Sequence, residues 1–336
     1  MNQVSLLIFL RDRGMILLWL LMIVIFAVLA GQLFFSFTNA MLVLGAAAVT
    51  AIFAAAVAFG VVSSVLDLSV PGTAAFASVI AAQLIVGGAP VALALLVAVL
   101  VGIGVGVVNW YLSAKRGLNP LVVTIATLTA LTGLSAVVAE GVPISGLSAL
   151  HFIGTDTYAQ IPAPAFVVAV IYLLGWLFLT RFRAGVRLMA VGGNAEAVRR
   201  VGIAADRYKL LGFALSGVCA AIGGVVSAAV VTQASPTAGT GVLFDALTAV
   251  ALSGMALTGG RGSFPRVLIG ALIIATINNG LVILNVQPYW TTVATGALLI
   301  IALGSERILT TAVSNRLVTS STAALPVAKP AQEATA

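Results

Sequence analysis

The chain has 336 residues, of which 61% are hydrophobic and only 7% charged, and its mean hydropathy is +1.20. A soluble domain carries about 25% charged residues, so this surface needs lipid and the chain reads as an integral membrane protein. Its net charge of +7 marks topology, with no nucleic-acid partner implied, because short cytoplasmic loops collect Lys and Arg.

The first apolar run, from Met15 to Phe35, follows Arg11 and Arg13. It exceeds a signal-peptide core and is expected to stay as a first helix. Spans of membrane length fall at 15–36, 41–62, 69–87, 90–112, 120–139, 163–180, 210–232, 245–258, 265–285 and 290–308. They are too uniformly apolar for an outer-membrane barrel, whose strands alternate. With the N-terminus inside, ten crossings put Lys115, Arg116, Arg181 to Lys209, Arg261, Arg266 and Arg307 in the cytoplasm. The outside loops near 88–89, 140–162, 233–244 and 286–289 then hold no Lys or Arg. The expected fold class is an all-α integral membrane protein of about ten transmembrane or re-entrant helices. Segments 69–87, 120–139 and 245–258 are short or rich in Thr, Ser and Gly. They are expected to be broken or re-entrant where protein or a water-filled cavity surrounds them.

The two halves echo each other. Asp67 opens DLSV and a Gly-rich segment ends near Asn109; Asp245 opens DALTAV and a similar segment carries Asn278 and Asn279. This pattern points to a two-fold internal repeat, as in many transporters. Residues 1–309 form one transmembrane domain, and 310–336, rich in Ser, Thr, Ala and Pro, read as a disordered cytoplasmic tail.

Between the sixth and seventh spans lies a polar island of 29 residues, Arg181 to Lys209, with seven of the sixteen Lys and Arg. Its middle predicts a short helix capped by Asn194, with Glu196 at the positive end of its dipole. Arg199 and Arg200 lie at the negative end, and Gly202 supplies a left-handed stop. Such a helix, about 10 Å long, is too short to stand alone, so a cytoplasmic partner is expected against it.

Catalysis fails on inventory. The one histidine, His151, sits in an outside loop beside Asp156, which excludes HExxH zinc chemistry, and no phosphate-binding GxxxxGK[ST] loop exists. No metal or other cofactor is expected. The single Cys219 lies in an apolar segment and reads as a small buried side chain. Asp67 and Asp245 each fit two readings, a helix N-cap and an acid bordering a solute path, and the cap is favoured. Asn109, Asn278 and Asn279 read first as interhelical hydrogen-bond partners. Thr124, Thr127, Thr129 and Thr132 read first as bonding to their own helix carbonyls. Arg261, in the Gly-rich turn from Gly259 to Ser263, suits a lipid phosphate or a protein partner equally.

Three stretches resemble a known family: LDLSV (66–70), AVGGNAEAVRRVGI (190–203) and the run from Phe244 to Leu281 containing LTGGRGSFPR. They look like the permease subunits of bacterial monosaccharide ABC importers, the ribose, xylose, arabinose, galactose and autoinducer-2 type, in matching order from about residue 40 to 308. The resemblance implies a multi-pass permease in the bacterial cytoplasmic (inner) membrane with both termini cytoplasmic. It implies pairing with a second, usually identical, permease chain, ABC ATP-binding subunits below, and a periplasmic or extracellular solute-binding protein above. The polar helix then corresponds to the coupling helix, with Gly192, Gly193, Asn194, Glu196, Ala197, Arg199, Arg200 and Gly202 facing the ATPase. Asp67, Ser69, Asn109, Thr124, Thr127, Asp245, Asn278 and Asn279 become candidates for the solute path. Two departures, Pro71 after Val70 and Ala126 in TIAT, fall where that path is expected and weaken a ribose-like assignment. The neighbouring nucleoside and branched-chain amino-acid permeases share the fold, and an ion-coupled carrier using Asp67 or Asp245 is the rival outside the ABC class.

Overall fold

The computed structural model describes residues 3–304 apart from Leu257; Arg307 and the tail expected at 310–336 lie outside the described residues. The chain forms α1 (Gln3–Ala30), α2 (Phe37–Val62), α3 (Val70–Val86), α4 (Val91–Trp110), α5 (Pro120–Val138), a single-turn α6 (His151–Gly154) and α7 (Ala163–Arg181). These are followed by α8 (Arg183–Gly193), α9 (Ala195–Arg200), α10 (Ala205–Val231), α11 (Thr240–Leu252), α12 (Phe264–Ile283) and α13 (Pro288–Gly304). Among the described residues seven helical segments are long and apolar enough to cross a membrane, and α3, α11 and α13 are shorter apolar helices. At about 1.5 Å per residue, the 13 residues of α11 reach about 20 Å, short of the roughly 30 Å hydrocarbon core.

Two expectations need correction. The break expected in 120–139 is absent: α5 runs 19 residues without interruption, and Thr129 and Thr132 bond back to carbonyls of the same helix. Thr129 donates to the Ile125 carbonyl at 3.1 Å and Thr132 to that of Leu128 at 2.9 Å. The segment placed at 245–258 starts earlier, at Thr240, after Gly239 in the left-handed conformation (φ +87°), and stops at Leu252. Asp245 therefore lies inside α11 and is not an N-cap.

Small residues decide what packs where. In α2, 72% of the most apolar window is buried, against 6% in α1, so α2 is the bundle's centre and α1 its periphery. The Ala-rich face of α2 lets α7, α10, α11 and α12 surround it. Helices α4 and α10 touch backbone to backbone: a Cβ on Gly102 would run into the Gly217 carbonyl, and one on Gly106 would lie 2.8 Å from the Phe213 carbonyl carbon. Where lipid tails are as apolar as leucine, such close approach supplies the van der Waals contact that holds helices together. Polar pins add direction. Tyr172 donates to the Ala51 carbonyl at 2.9 Å, and Trp19 Nε1 to Thr276 Oγ1 at 3.0 Å.

The contacts repeat under an exchange of halves. Helices α3 and α4 pack on each other and on α10, just as α11 and α12 pack on each other and on α2. Four spanning or partly spanning helices, α3, α4, α5 and α7, separate α2 from α10, so the two run in opposite directions and the repeat is inverted.

The two ends of the bundle differ. One gathers Lys115, Arg116, the α8–α9 pair, the start of α10 and the α11–α12 connection; Trp110 Nε1 donates to the Asp206 carbonyl there at 2.8 Å. At the other end, β1 (Ile144–Ser145) pairs antiparallel with β4 (Gln233–Ala234). Beside it β2 (Thr157–Tyr158) and β3 (Ile161–Pro162) form a hairpin. The hairpin's turn puts Ala159 and Gln160 at φ +51° and +67°, the geometry that matches strand twist. The described connections at this end, 31–36, 87–90, 139–162, 232–239 and 284–287, contain no Lys or Arg.

The α4–α10 contact generates a stability prediction. Replacing Gly217 with Leu should cost at least the ~1–3 kcal/mol of overpacking, whereas Gly104→Leu, on the open side of α4, should leave the thermal unfolding midpoint in detergent unchanged. Equal midpoints for the two variants contradict the packing described.

Candidate functional site

Helix α7 ends at Arg181, and one extended residue, Phe182 (φ −90°, ψ 135°), redirects the chain into α8. Helix α8 buries Gly185, Leu188, Val191 and Gly192 and exposes Arg183, Val186, Arg187 and Ala190, the division of an amphipathic helix. Sequence reading missed this helix. Its signal, small and apolar residues three to four apart with arginines between, was present but submerged in a stretch read as polar throughout.

Helix α9 follows the sequence expectation closely. Asn194 Oδ1 accepts the Ala197 N–H at 2.9 Å, Glu196 sits in the first turn, and Arg199 and Arg200 fill the last. Gly202 stops the helix at φ +81°. Val198 anchors it, packing with Val191 and Ala205. Arg200 pairs with Glu196 at 2.6 Å and Arg199 with Asp206 at 2.8 Å. Exposed pairs contribute at most about 1 kcal/mol each, so a partner can exchange them at little cost. Gly193, Asn194, Glu196, Ala197, Arg199, Arg200 and Gly202 are exposed. Gly192 is not: it is packed against Val62 and Gly260, so it supports the surface from below.

The path candidates divide into two clusters. At the basic end, five side chains, all buried but the half-buried Thr127, form a continuous hydrogen-bond chain linking the start of α3 to α4, α5 and α10. Thr127 donates to Asn109 Oδ1 at 2.7 Å, and Asn109 Nδ2 donates to Ser69 Oγ at 2.8 Å. Ser69 donates its hydroxyl and its N–H to Asp67 Oδ1 at 2.6 and 3.0 Å, and Ser216 donates to Asp67 Oδ2 at 2.9 Å. Asp67 thus closes an Asx turn ahead of α3; the N-cap residue is Ser69, whose side chain accepts nothing from the helix. Thr124 bonds back to the Leu121 carbonyl at 3.2 Å. Helix α4 widens into a π turn at Tyr111–Lys115 just past Asn109, where Ser113 donates to the Asn109 carbonyl at 2.6 Å. Ser216 had no motif to mark it.

At the opposite end, Asp245 on α11 accepts from Thr295 of α13 at 3.0 Å, with Asn278 of α12 nearby. Each half of the repeat therefore sets its acid near its asparagine, and in the first half Ser69 links the two. Asn279 stands apart: its Nδ2 donates to Asn39 Oδ1 at 2.9 Å, tying α12 to α2. His151 and Asp156 are exposed on the same end, and Cys219 is buried and free. Among the described residues no three His, Cys, Asp or Glu are grouped to hold a metal ion.

Burial sets the expected cost of breaking each cluster. Asp67 is 2% exposed and Asp245 only partly buried. Asp67→Ala should therefore destabilise the chain by about 1–3 kcal/mol, the cost of leaving buried hydroxyls unpartnered, and Asp245→Ala by less. Thermal unfolding in detergent measures both, and a larger drop for Asp245→Ala contradicts the assignment.

Known proteins match this chain over most of its length. It is 33% identical over 293 residues to the ribose import permease protein RbsC of Bacillus subtilis (strain 168), covering 86% of this chain and 91% of the relative. It is 32% identical to the D-allose transport system permease protein AlsC of Escherichia coli (strain K12), covering 86% and 89%. It is 29% identical to the galactose/methyl galactoside import permease protein MglC of the same strain, covering 91% and 97%. No solved structure gives a significant match. Residues 39–303 match the model of one family along nearly the whole bundle, α2 to α13. The chain therefore belongs to the family described as the permease component of branched-chain amino acid transport systems.

Proposed function

We propose that this permease is the membrane-spanning subunit of a binding-protein-dependent ABC importer and passes a monosaccharide or similar small polar solute by alternating access. The observation that carries the proposal is α9. A capped six-residue helix, seated on α8 and exposing polar groups at the one end rich in Lys and Arg, needs a docking partner to have a purpose. The import roles named for the ribose, allose and galactose relatives supply the solute class. The family description supports branched-chain amino acids as a second solute class for the same machinery.

In this reading the basic end faces the cytoplasm of a bacterial cell, following the positive-inside rule, with both termini on that side of the inner membrane. Gly193, Asn194, Glu196, Ala197, Arg199, Arg200 and Gly202 meet an ATP-binding subunit, and Gly192 holds α8 in place beneath them. The opposite end, with the β1–β4 clasp and the exposed His151 and Asp156, meets the solute-binding protein. A second, identical permease chain completes the pathway, and lipid surrounds the peripheral α1. ATP hydrolysis stays on the separate subunits. Asp67, Ser69, Asn109, Thr124 and Thr127 border the path at the cytoplasmic end, and Asp245, Asn278 and Asn279 at the outer end. In the described conformation Asp67, Ser69 and Asn109 satisfy one another and so hold their helices together.

Glu196 gives the direct test. Glu196→Lys removes the Arg200 pair and puts a positive charge at the positive end of the α9 dipole, which costs about 0.3–1 kcal/mol locally. The larger effect falls on docking: co-purification of the ATP-binding subunit with the tagged chain should drop at least several-fold while the chain remains folded. Undiminished association contradicts the placement of the docking surface.

A further inference from the structure

The end of α8 meets two other segments almost backbone to backbone, with Ser64 the one side chain in the contact. A Cβ on Gly192 would run into the Val62 carbonyl oxygen, and one on Gly260 would run into the Gly193 backbone. A Cβ on Gly259 would lie 2.8 Å from Ser64 Cα and 2.9 Å from the Gly192 carbonyl oxygen. Two hydrogen bonds stitch the contact: Gly260 N–H donates to the Val62 carbonyl at 3.2 Å, and the Ser64 hydroxyl to the Thr258 carbonyl at 2.9 Å. Gly259 and Gly260 reach this position only in the left-handed conformation, at φ +98° and +74°.

This junction is stiff. Side chains absorb small displacements by changing rotamer, and backbones in contact have none to change. What lies beyond it is also tightly packed. Met255, upstream in the same connection, is fully buried in the main core. Phe264, downstream at the start of α12, sits against the rings of Phe59 (centroids 4.6 Å apart) and Tyr172 (5.4 Å). A shift of α8 must therefore either move the α11–α12 connection and the end of α2 with it or break the contact.

We infer that this glycine junction, Gly192 and Gly193 on α8 against Gly259, Gly260 and Val62–Ser64, is the element that passes movement of α8–α9 to α2, α11 and α12. The inference rests on the reading that α9 docks an ATP-binding subunit, and it assigns Gly259, Gly260 and Ser64 as positioning residues for transport. Gly254 provides an internal control. It lies in the same connection with the same left-handed strain (φ +67°) but has nothing within 4 Å of its Cβ position.

The test uses the whole complex, permease with its ATP-binding subunits and binding protein, in vesicles. It measures labelled D-ribose, D-allose or D-galactose imported per ATP hydrolysed. Gly260→Ala should lower that ratio at least tenfold while hydrolysis continues, and Gly254→Ala should match the unmodified complex. Equal ratios for the two variants overturn the inference. Should Gly260→Ala fail to assemble, Ser64→Ala decides, since it removes one hydroxyl at an exposed position: a ratio about threefold lower supports the junction and an unchanged one overturns it. A wild-type chain that retains no ATP-binding subunit contradicts the docking reading itself, a result separate from either ratio.

Discussion

Helix backbones in this protein touch directly, and most of its organisation follows from that contact. Lipid offers no hydrophobic drive between helices, so association depends on close packing, and only glycine and alanine allow two backbones to meet. Gly102 meets Gly217 between α4 and α10, Gly224 meets Ala74 between α10 and α3, and Gly270 meets Ala249 between α12 and α11. With α2 and α10 packed on each other at the centre, α1, α5 and α7 keep broad exposed apolar faces. The same device reappears at the basic end, where the Gly192–Gly193 and Gly259–Gly260 backbones meet.

Much of this was legible in the sequence, for physical reasons that can be named. Apolar length fixed the spans because every backbone group in lipid must be satisfied within a helix. The α9 cap was readable from Asn194, Glu196, Arg199, Arg200 and Gly202 because each acts within one turn of its own position. Asn279 proved the interhelical partner expected of it. Helix α8 was not seen because its apolar face appears only once a neighbouring surface exists for Leu188 and Val191 to bury against. The capping role expected of Asp67 and Asp245 failed for a similar reason. Aspartate before an apolar run signals a cap only if the helix begins there, and helix starts depend on tertiary contacts that local sequence does not encode. Ser216, 149 residues from Asp67 in sequence yet hydrogen-bonded to it, carried no local signal at all. Thr127 broke the pattern of its neighbours by bonding across to Asn109, which only the α4–α5 geometry decides.

The two acid–asparagine clusters show how an apolar bundle accommodates ionisable groups. Asp67 accepts three hydrogen bonds from Ser69 and Ser216, in a chain that ends on Thr127, and Asp245 accepts one from Thr295. Neither has a cationic partner among the described contacts. The first cluster ties the start of α3 to α4 and α10, and the second ties α11 to α13. A permease built this way carries the polar platform of α8 and α9 on the outside of the bundle. That arrangement suits a machine whose energy arrives from another subunit.

The central claim is that ATP on partner chains, and no ion gradient acting on this chain, drives solute movement. The most direct measurement compares accumulation of a labelled sugar in vesicles containing the purified chain alone, under an imposed proton or sodium gradient, with vesicles containing the full complex supplied with ATP. The account predicts accumulation only with the complex and ATP. Gradient-driven accumulation by the chain alone contradicts it and makes Asp67 or Asp245 the coupling group of a secondary carrier.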